Sequence, residues 1–119
     1  MAVNTPKASV LVVDDSLVMR NLQKAALEKA GYSVTVAKGG PEALEKVGLE
    51  NGDSPPFELV LLDNMMPDMK GLEVLEKIRG VHSGVELPVI MVTANDESED
   101  IVSAFKLQAN DYVTKPIDF

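Results

Sequence analysis

Five polar side chains of this sequence stand directly after apolar runs, and together they could bind a metal ion and a phosphoryl group. They are Asp14, Asp15, Asp63, Thr93 and Lys115. Three carboxylates at one place repel one another and are costly unless a cation joins them. Ligands that are all oxygen favour Mg²⁺, Mn²⁺ or Ca²⁺ over Zn²⁺, and Mg²⁺ commonly completes its shell with waters and phosphate oxygens.

The same residue types are typical of phosphoryl chemistry. A carboxylate can attack phosphorus and form an aspartyl-phosphate. Lys115 would place a compact positive charge opposite the phosphoryl group, and Thr93 would donate a hydrogen bond to it. Phosphoryl transfer needs mainly positioning and charge neutralisation, so this chemistry requires that the fold bring the five residues together.

Apolar runs alternate with amphipathic stretches along the chain. The predicted strands are Ser9–Val13, Ser33–Ala37, Glu58–Leu62, Pro88–Val92 and Asp111–Val113. The predicted helices are Leu17–Ala30, Pro41–Val47, Leu72–Arg79 and a fourth that is capped by Asp96 and ends at Leu107. Ser16 is the expected N-cap of the first helix, and Gly31 is the expected residue just past its end. Such alternation predicts a parallel sheet with helices on both faces.

The composition of the strands predicts their order. The first, third and fourth are unbroken aliphatic runs, as expected of buried strands, whereas the second alternates and the fifth is short. The predicted fold class is therefore α/β, with a doubly wound five-stranded parallel sheet in the flavodoxin-like order 2-1-3-4-5. Ligands of such sheets bind outside the carboxyl ends of the strands, so the polar residues are predicted to meet at one edge.

Length, charge and composition exclude several function classes. The 119 residues suit a single domain, residues 1–119, and no cysteine is present for a disulfide or a thiolate metal site. The formal charge of −8, from 19 acids and 11 bases, argues against direct nucleic-acid binding. No apolar run approaches the roughly 18 to 20 residues that span a bilayer, and the N-terminus lacks a signal-peptide pattern. We expect a cytoplasmic domain without membrane contact.

Four motifs resemble those of the receiver domain of bacterial two-component response regulators. They are VLVVDDS (10–16), LVLLDNMMPDMKG (59–71), VIMVTA (89–94) and DYVTKPI (111–117). The resemblance implies that Asp63 accepts a phosphoryl group from a sensor histidine kinase or a phosphotransfer protein. It further implies that Mg²⁺, with Mn²⁺ as an alternative, is bound by Asp15, Asp63 and the backbone carbonyl of Met65, while Asp14 acts through a metal-bound water.

The resemblance assigns further roles at the ends of the last two strands. Thr93 and Lys115 would bind phosphoryl oxygens, and Tyr112 would be the aromatic switch that turns inward when Thr93 moves. Pro116 matches a Lys-Pro pair whose peptide bond is often cis. An output domain or partner protein would then bind the face formed by the fourth helix and fifth strand. The sequence leaves open whether that output is DNA binding, cyclic-dinucleotide synthesis, a hybrid kinase or a stand-alone role.

Two features of the sequence depart from the family pattern. Gln108 stands where many receivers have glycine, at a place that can require a positive φ. Family members also continue after the Lys-Pro pair into a fifth helix, whereas only residues 117–119 follow here. We therefore expect a receiver domain truncated before that helix, with aliphatic side chains of strands one, three and five left open to water. The rest of a longer chain, a dimer or a swapped assembly could cover them.

Other interpretations compete with this one. A haloacid-dehalogenase-like phosphatase uses a similar set of residues, but it needs an Asp-x-Asp nucleophile motif, and here Asp14-Asp15 is followed by Ser16. A pseudo-receiver would bind a partner without phosphorylation. The Asp14-Asp15 pair could also serve only to cap the first helix, and Tyr112 could be a surface aromatic of an edge strand. The one histidine, His82, is expected in a loop without a special role.

Overall fold

The computed structural model describes residues 8–49, 54–94 and 98–115, and these form five strands and four helices. In chain order they are β1 (Ser9–Val13), α1 (Leu17–Lys29), β2 (Ser33–Ala37), α2 (Gly40–Val47), β3 (Leu59–Leu62), α3 (Gly71–Arg79), β4 (Val89–Thr93), α4 (Ser98–Lys106) and β5 (Asp111–Thr114). About half of the bounds agree with the predicted ones, and the others differ by a single residue. One difference affects the site, because Thr93 is the last residue of β4 and does not follow it.

All five strands are parallel, in the order β2-β1-β3-β4-β5. The predicted flavodoxin-like sheet is thus confirmed. Val10 of β1 pairs with Val34 on one side and Leu59 on the other, which fixes the register of the three strands. The carboxyl ends of β1, β3 and β4 therefore lie side by side.

The ends of α1 and α4 follow from local chemistry. Ser16 caps α1 through its side chain, which accepts a hydrogen bond from the main-chain N–H of Met19 at 3.3 Å. Gly31 follows the helix with a φ of 101°, as predicted. Gln108 follows α4 with a φ of 67°, which confirms the expectation of a positive φ at this non-glycine position.

The larger part of the core lies between the sheet and the helices α2, α3 and α4. Its fully buried side chains include Leu11, Leu62, Leu75, Ile78, Leu87 and Met91. Buried aliphatic side chains alternate along β1, β3 and β4, so each strand also directs residues to the opposite face. This part of the core packs against β1, β3 and β4, the strands that end at the polar edge.

The opposite face carries a smaller cluster packed against α1. It contains Val10, Val12, Leu27, Leu61 and Val92, all of them buried. The expectation that aliphatic side chains of strands one and three are open to water is therefore wrong for most of them. Leu27 of α1 lies in the same cluster as the β1 side chains. Adjacent strands lie only about 4.8 Å apart, so neighbouring side chains on the same face of the sheet shield one another from water. A cavity of about 330 Å³ remains, lined by Val10, Ala26, Leu27, Ala30, Tyr32 and Leu59.

Three features complete the description. His82 lies in the loop after α3, but it is only 1% exposed, so the view of an ordinary loop residue needs revision. No helix within the described ranges is long and apolar enough to cross a membrane. Asp96, Pro116 and residues 117–119 lie outside the described residues, and so do the predicted cap and cis peptide bond that involve them.

Candidate functional site

The three aspartates meet at the carboxyl edge of the sheet, where β1 and β3 end next to each other. The main-chain N–H of Asp63 donates to the carbonyl of Val13 at 2.9 Å, which extends the ladder one residue beyond the end of β3. One carboxylate oxygen from each of Asp14, Asp15 and Asp63 lies within 4.8 Å of the others. Asp14 is 1% and Asp63 4% exposed, whereas Asp15 is open to solvent.

Lys115 brings a positive charge to the two buried carboxylates. Its Nζ lies 2.6 Å from Oδ2 of Asp14 and 3.4 Å from Oδ2 of Asp63. Its main-chain N–H donates to the carbonyl of Thr93 at 3.0 Å, so the chain after β5 is tied to the end of β4. Four of the five residues predicted from the sequence thus lie in one cluster, and the fifth, the buried Thr93, is joined to Lys115 of that cluster through the backbone.

Burial sets the electrostatics of the site. It raises the pKa of Asp63 above its usual range, and the charge of Asp14 adds to this, although Lys115 pulls the pKa down. For Lys115, burial by itself would lower the pKa. The hydrogen bond to Asp14 and the charges of both aspartates outweigh it, so the pKa of Lys115 lies above its usual range. The pocket therefore holds more negative charge than one ammonium compensates.

Three residues that the sequence analysis did not assign to the site hold Asp14 in place. The N–H of Ser16 donates to its Oδ1 at 2.9 Å, and Nε2 of Gln23 donates to its Oδ2 at 3.4 Å. Nη1 of Arg20 donates to its main-chain carbonyl at 2.8 Å. The one available signal was the spacing of Gln23, which precedes the buried Leu27 by four residues and so shares its face of α1.

The loop after β3 shapes the surroundings of Asp63. The N–H of Met65 donates to Oδ1 of Asp63 at 3.2 Å. The buried Asn64 accepts hydrogen bonds from the first residues of α3, through its carbonyl from Gly71 at 3.0 Å and through Oδ1 from Leu72 at 3.2 Å. A Cβ on Gly71 would overlap the main-chain carbonyl of Asp63. Asn64 and Gly71 were not singled out, although both lie within the motif that contains Asp63.

The donor set fits a hard divalent cation. It consists only of oxygen atoms, two of the three carboxylates are buried, and a single ammonium leaves net negative charge in the pocket. The cluster can thus hold a metal ion. The side chain of Met65 is exposed beside it, and the main chain of Met65 stays close to Asp63 through its N–H.

Tyr112 lies on β5, opposite Met91 of β4, and packs half-buried against the core on the α4 side of the sheet. It is therefore not a fully exposed edge residue. Two apolar side chains of α4, Val102 and Phe105, are about half exposed on the same side of the molecule, at 51% and 49%. The end of β4 and the α4 surface are thus linked through β5.

Comparison with known proteins gives a consistent picture. The sequence model of the response regulator receiver domain matches residues 10–119. The chain is 41% identical over 112 residues to the uncharacterised transcriptional regulatory protein YkoG of Bacillus subtilis, covering 94% of this chain and 46% of that protein. It is 37% identical over 108 residues to the chemotaxis protein CheY1 of Helicobacter pylori, covering 90% of this chain and 84% of that one.

The fold is also similar to solved structures. The response regulator TrrA of Thermotoga maritima, in complex with Mg²⁺-BeF, superimposes with a TM-score of 0.79 at 35% identity, covering 93% of this chain and 89% of that one. The chain thus spans less than half of YkoG but most of CheY1 and TrrA.

Proposed function

This chain belongs to the response regulator receiver domain family, and on that basis we propose that it accepts a phosphoryl group on Asp63 from a histidine kinase or a phosphotransfer protein. Receiver domains are signalling domains and not classical enzymes. The observation that carries the proposal is the position of Lys115, which contacts both Asp14 and Asp63 at the carboxyl edge of the sheet.

In the proposed reaction an ionised oxygen of Asp63 attacks the phosphorus of a phosphohistidine. A P–O bond forms, the P–N bond breaks, and its electron pair stays on the imidazole of the donor. Lys115 is close enough to bind an oxygen of the transferred group, and the hydroxyl of Thr93 would bind another. Water later attacks the phosphorus, which returns Asp63 to its carboxylate and releases inorganic phosphate.

We propose Mg²⁺ as the cation, with Mn²⁺ as the alternative, because the three aspartates provide only oxygen ligands. When bound, it supplies neutralisation of the phosphoryl oxygens. Asp15, Asp63 and the carbonyl of Met65 are the proposed direct ligands, and Asp14 acts through a bound water. The similarity to TrrA, whose structure contains Mg²⁺-BeF, supports this choice.

The proposed output runs from Thr93 to Tyr112. Movement of the Thr93 hydroxyl toward the phosphoryl group frees space at the end of β4, into which the half-buried ring of Tyr112 turns. The exposed apolar residues Val102 and Phe105 of α4 give an output domain or partner a contact surface beside Tyr112.

Tyrosine fluorescence tests the role of Tyr112. The experiment uses a Tyr32→Phe background, because Tyr112 is then the one tyrosine of the chain, which has no tryptophan. Its emission should change on addition of Mg²⁺ and beryllofluoride, and Thr93→Ala should abolish the change.

The phosphoryl donor must reach Asp63 past the start of α1. Three apolar side chains are exposed there, those of Leu17, Val18 and Leu22. They provide a surface for the histidine kinase or phosphotransfer protein next to the exposed Asp15. Val18→Ser should slow transfer from a protein donor and leave labelling by a small phosphodonor unchanged.

The decisive experiment is labelling with radioactive acetyl phosphate in the presence of Mg²⁺. Wild type should incorporate one acid-stable, base-labile phosphoryl group, and Asp63→Asn should incorporate none. Asp68→Asn is a matched control, because Asp68 is an exposed aspartate of the same loop. Equal labelling of Asp63→Asn and wild type would refute the proposal. Repeated turnover of a phosphomonoester would favour a phosphatase instead.

A further inference from the structure

Gln23 is a polar side chain of α1 that is buried in the folded protein. It is 3% exposed, whereas its neighbour Leu22, an apolar residue, is largely in water. Burial of an amide is unfavourable unless its hydrogen bonds are made inside the protein. Its Nε2 donates to Oδ2 of Asp14 at 3.4 Å, across nine residues of sequence. The contact with Asp14 therefore supplies a hydrogen bond that this buried amide needs.

Asp14 is almost completely buried, and its two oxygens are served by different kinds of donor. Oδ1 accepts from the main-chain N–H of Ser16 at 2.9 Å. Oδ2 accepts from Lys115 at 2.6 Å and from Gln23 at 3.4 Å. Of these two, Lys115 is shared with Asp63, while Gln23 is neutral and fixed on a helix.

We infer that Gln23 is a positioning residue for the metal and phosphoryl site, because it holds Oδ2 of Asp14 when Lys115 turns to a phosphoryl group on Asp63. The inference rests on the proposed function. Lys115 has one ammonium for two carboxylates, and an anionic group bound to Asp63 competes with Asp14 for it. The amide of Gln23 carries no charge, so it is not drawn toward that group and does not repel a cation.

Loss of this donor should loosen the Asp14 carboxylate in the loaded state more than in the free state. Hydrogen-bond partners behind metal ligands commonly contribute 10- to 100-fold to metal affinity. The Gln23 bond is long and its acceptor is proposed to act through water, so we expect about a tenfold effect. Met has nearly the length of Gln and no donor, which makes Gln23→Met the direct test.

The experiment measures three quantities on Gln23→Met and on wild type. They are the Mg²⁺ dissociation constant by calorimetry in the presence of beryllofluoride, the ¹⁹F signal of bound beryllofluoride at fixed Mg²⁺, and the urea midpoint in EDTA. The expected result is about tenfold weaker Mg²⁺ binding and less bound beryllofluoride, with an unchanged or higher urea midpoint. Leu27→Met, one turn along the same buried face, should leave Mg²⁺ and beryllofluoride binding unchanged.

A double substitution separates positioning from packing. Without beryllofluoride, Gln23 in a Lys115→Met background is the only one of the two Oδ2 donors left, so Gln23→Met should then weaken Mg²⁺ binding there more than in wild type. Equal Mg²⁺ binding by Gln23→Met and wild type would overturn the inference and leave the proposed function intact. Failure of wild type to bind Mg²⁺ at all would overturn both.

Discussion

The ammonium group of Lys115 lies closer to Oδ2 of Asp14, at 2.6 Å, than to Oδ2 of Asp63, at 3.4 Å. The residue proposed to bind the phosphoryl group thus rests mainly on a neighbouring carboxylate. A metal ion beside Asp14 would weaken that attraction, and a phosphoryl group on Asp63 would strengthen the competing one. The pair is therefore placed to change partners on phosphorylation, and it leaves Asp63 the more weakly compensated of the two acids.

Replacement of Asp63 by Asn should stabilise the metal-free protein by about 1 kcal/mol, because it removes a buried and repelled charge. Since the pKa of Asp63 is raised, the folded protein binds its proton more tightly than the unfolded chain. The free energy of unfolding of wild type should thus fall as the pH rises from about 3.8 through the folded pKa. Urea unfolding in EDTA at several pH values should show a gap between wild type and Asp63→Asn that opens over this window, whereas Asp68→Asn should follow wild type.

Gly71→Ala should destabilise the protein by about 3 kcal/mol and reduce labelling of Asp63. An added Cβ would overlap the carbonyl of Asp63 and lie 2.8 Å from Cα of Asn64, so the loop that begins with Asp63 must shift. Gly80→Ala is the matched control, because its Cβ would meet nothing closer than the carbonyl of Lys77 at 3.3 Å. Chemical denaturation and acetyl-phosphate labelling measure the two effects, and equal stability of both variants would contradict this account.

Gln108→Gly should raise the free energy of unfolding by about 0.5 to 1 kcal/mol. A φ of 67° brings the Cβ of a non-glycine residue close to the carbonyl that follows, and glycine removes this strain. The bond from Nε of Arg79 to the main-chain oxygen of Gln108 needs no side chain there and should persist. Gln108→Ala keeps the Cβ and should show no such gain. Thermal unfolding distinguishes the two variants, and a loss of stability in Gln108→Gly would speak against strain at this turn.

Arg79→Met should cost about 2 to 4 kcal/mol, because the Arg79 guanidinium joins two loops at the end of the sheet remote from the aspartates, the loop before β4 and the loop before β5. Its acceptors are the carbonyls of His82, Leu87 and Gln108 and Oδ1 of Asn110. Without the guanidinium these oxygens lose their donor, and the bonds to His82 and Leu87 are partly buried. Lys77→Met, on the exposed side of the same helix, should change little. Urea unfolding of both variants measures this difference in stability. Equal stability of the two variants would mean that water replaces the hydrogen bonds of Arg79.

His82→Leu should stabilise the protein by about 1 kcal/mol. Neither ring nitrogen of the buried His82 has a hydrogen-bond partner in the described part of the chain, and Leu fills a similar volume without polar atoms. Nδ1 lies 3.8 Å from Oε2 of Glu86, so Glu86→Gln tests whether an ion pair contributes. Differential scanning calorimetry should show a higher melting temperature for His82→Leu only. A lower one would mean that the imidazole makes a stabilising contact.

The strand order of the sheet and the edge at which its polar residues meet could both be predicted from the amino-acid pattern. Unbroken aliphatic runs, each followed by a polar residue, are local features of the sequence. A parallel doubly wound sheet places the carboxyl ends of all its strands at one edge. Asp14, Asp63 and Lys115 could therefore be assigned to one place without coordinates. The positive φ of Gln108 was also predictable, because the turn after a helix has few backbone solutions.

Which atoms pair and which side chains are buried depends on packing between elements that are distant in sequence, and no local pattern predicts it. The preference of Lys115 for Asp14 depends on differences of less than 1 Å between strand ends that are far apart in sequence. Gln23 and His82 are polar but buried, whereas the apolar Leu22, next to Gln23 on α1, is exposed. Sequence patterns report the average tendency of a residue type, whereas burial is set by which elements pack across that position. The contacts that orient the site therefore appear only once the helices are placed on the sheet.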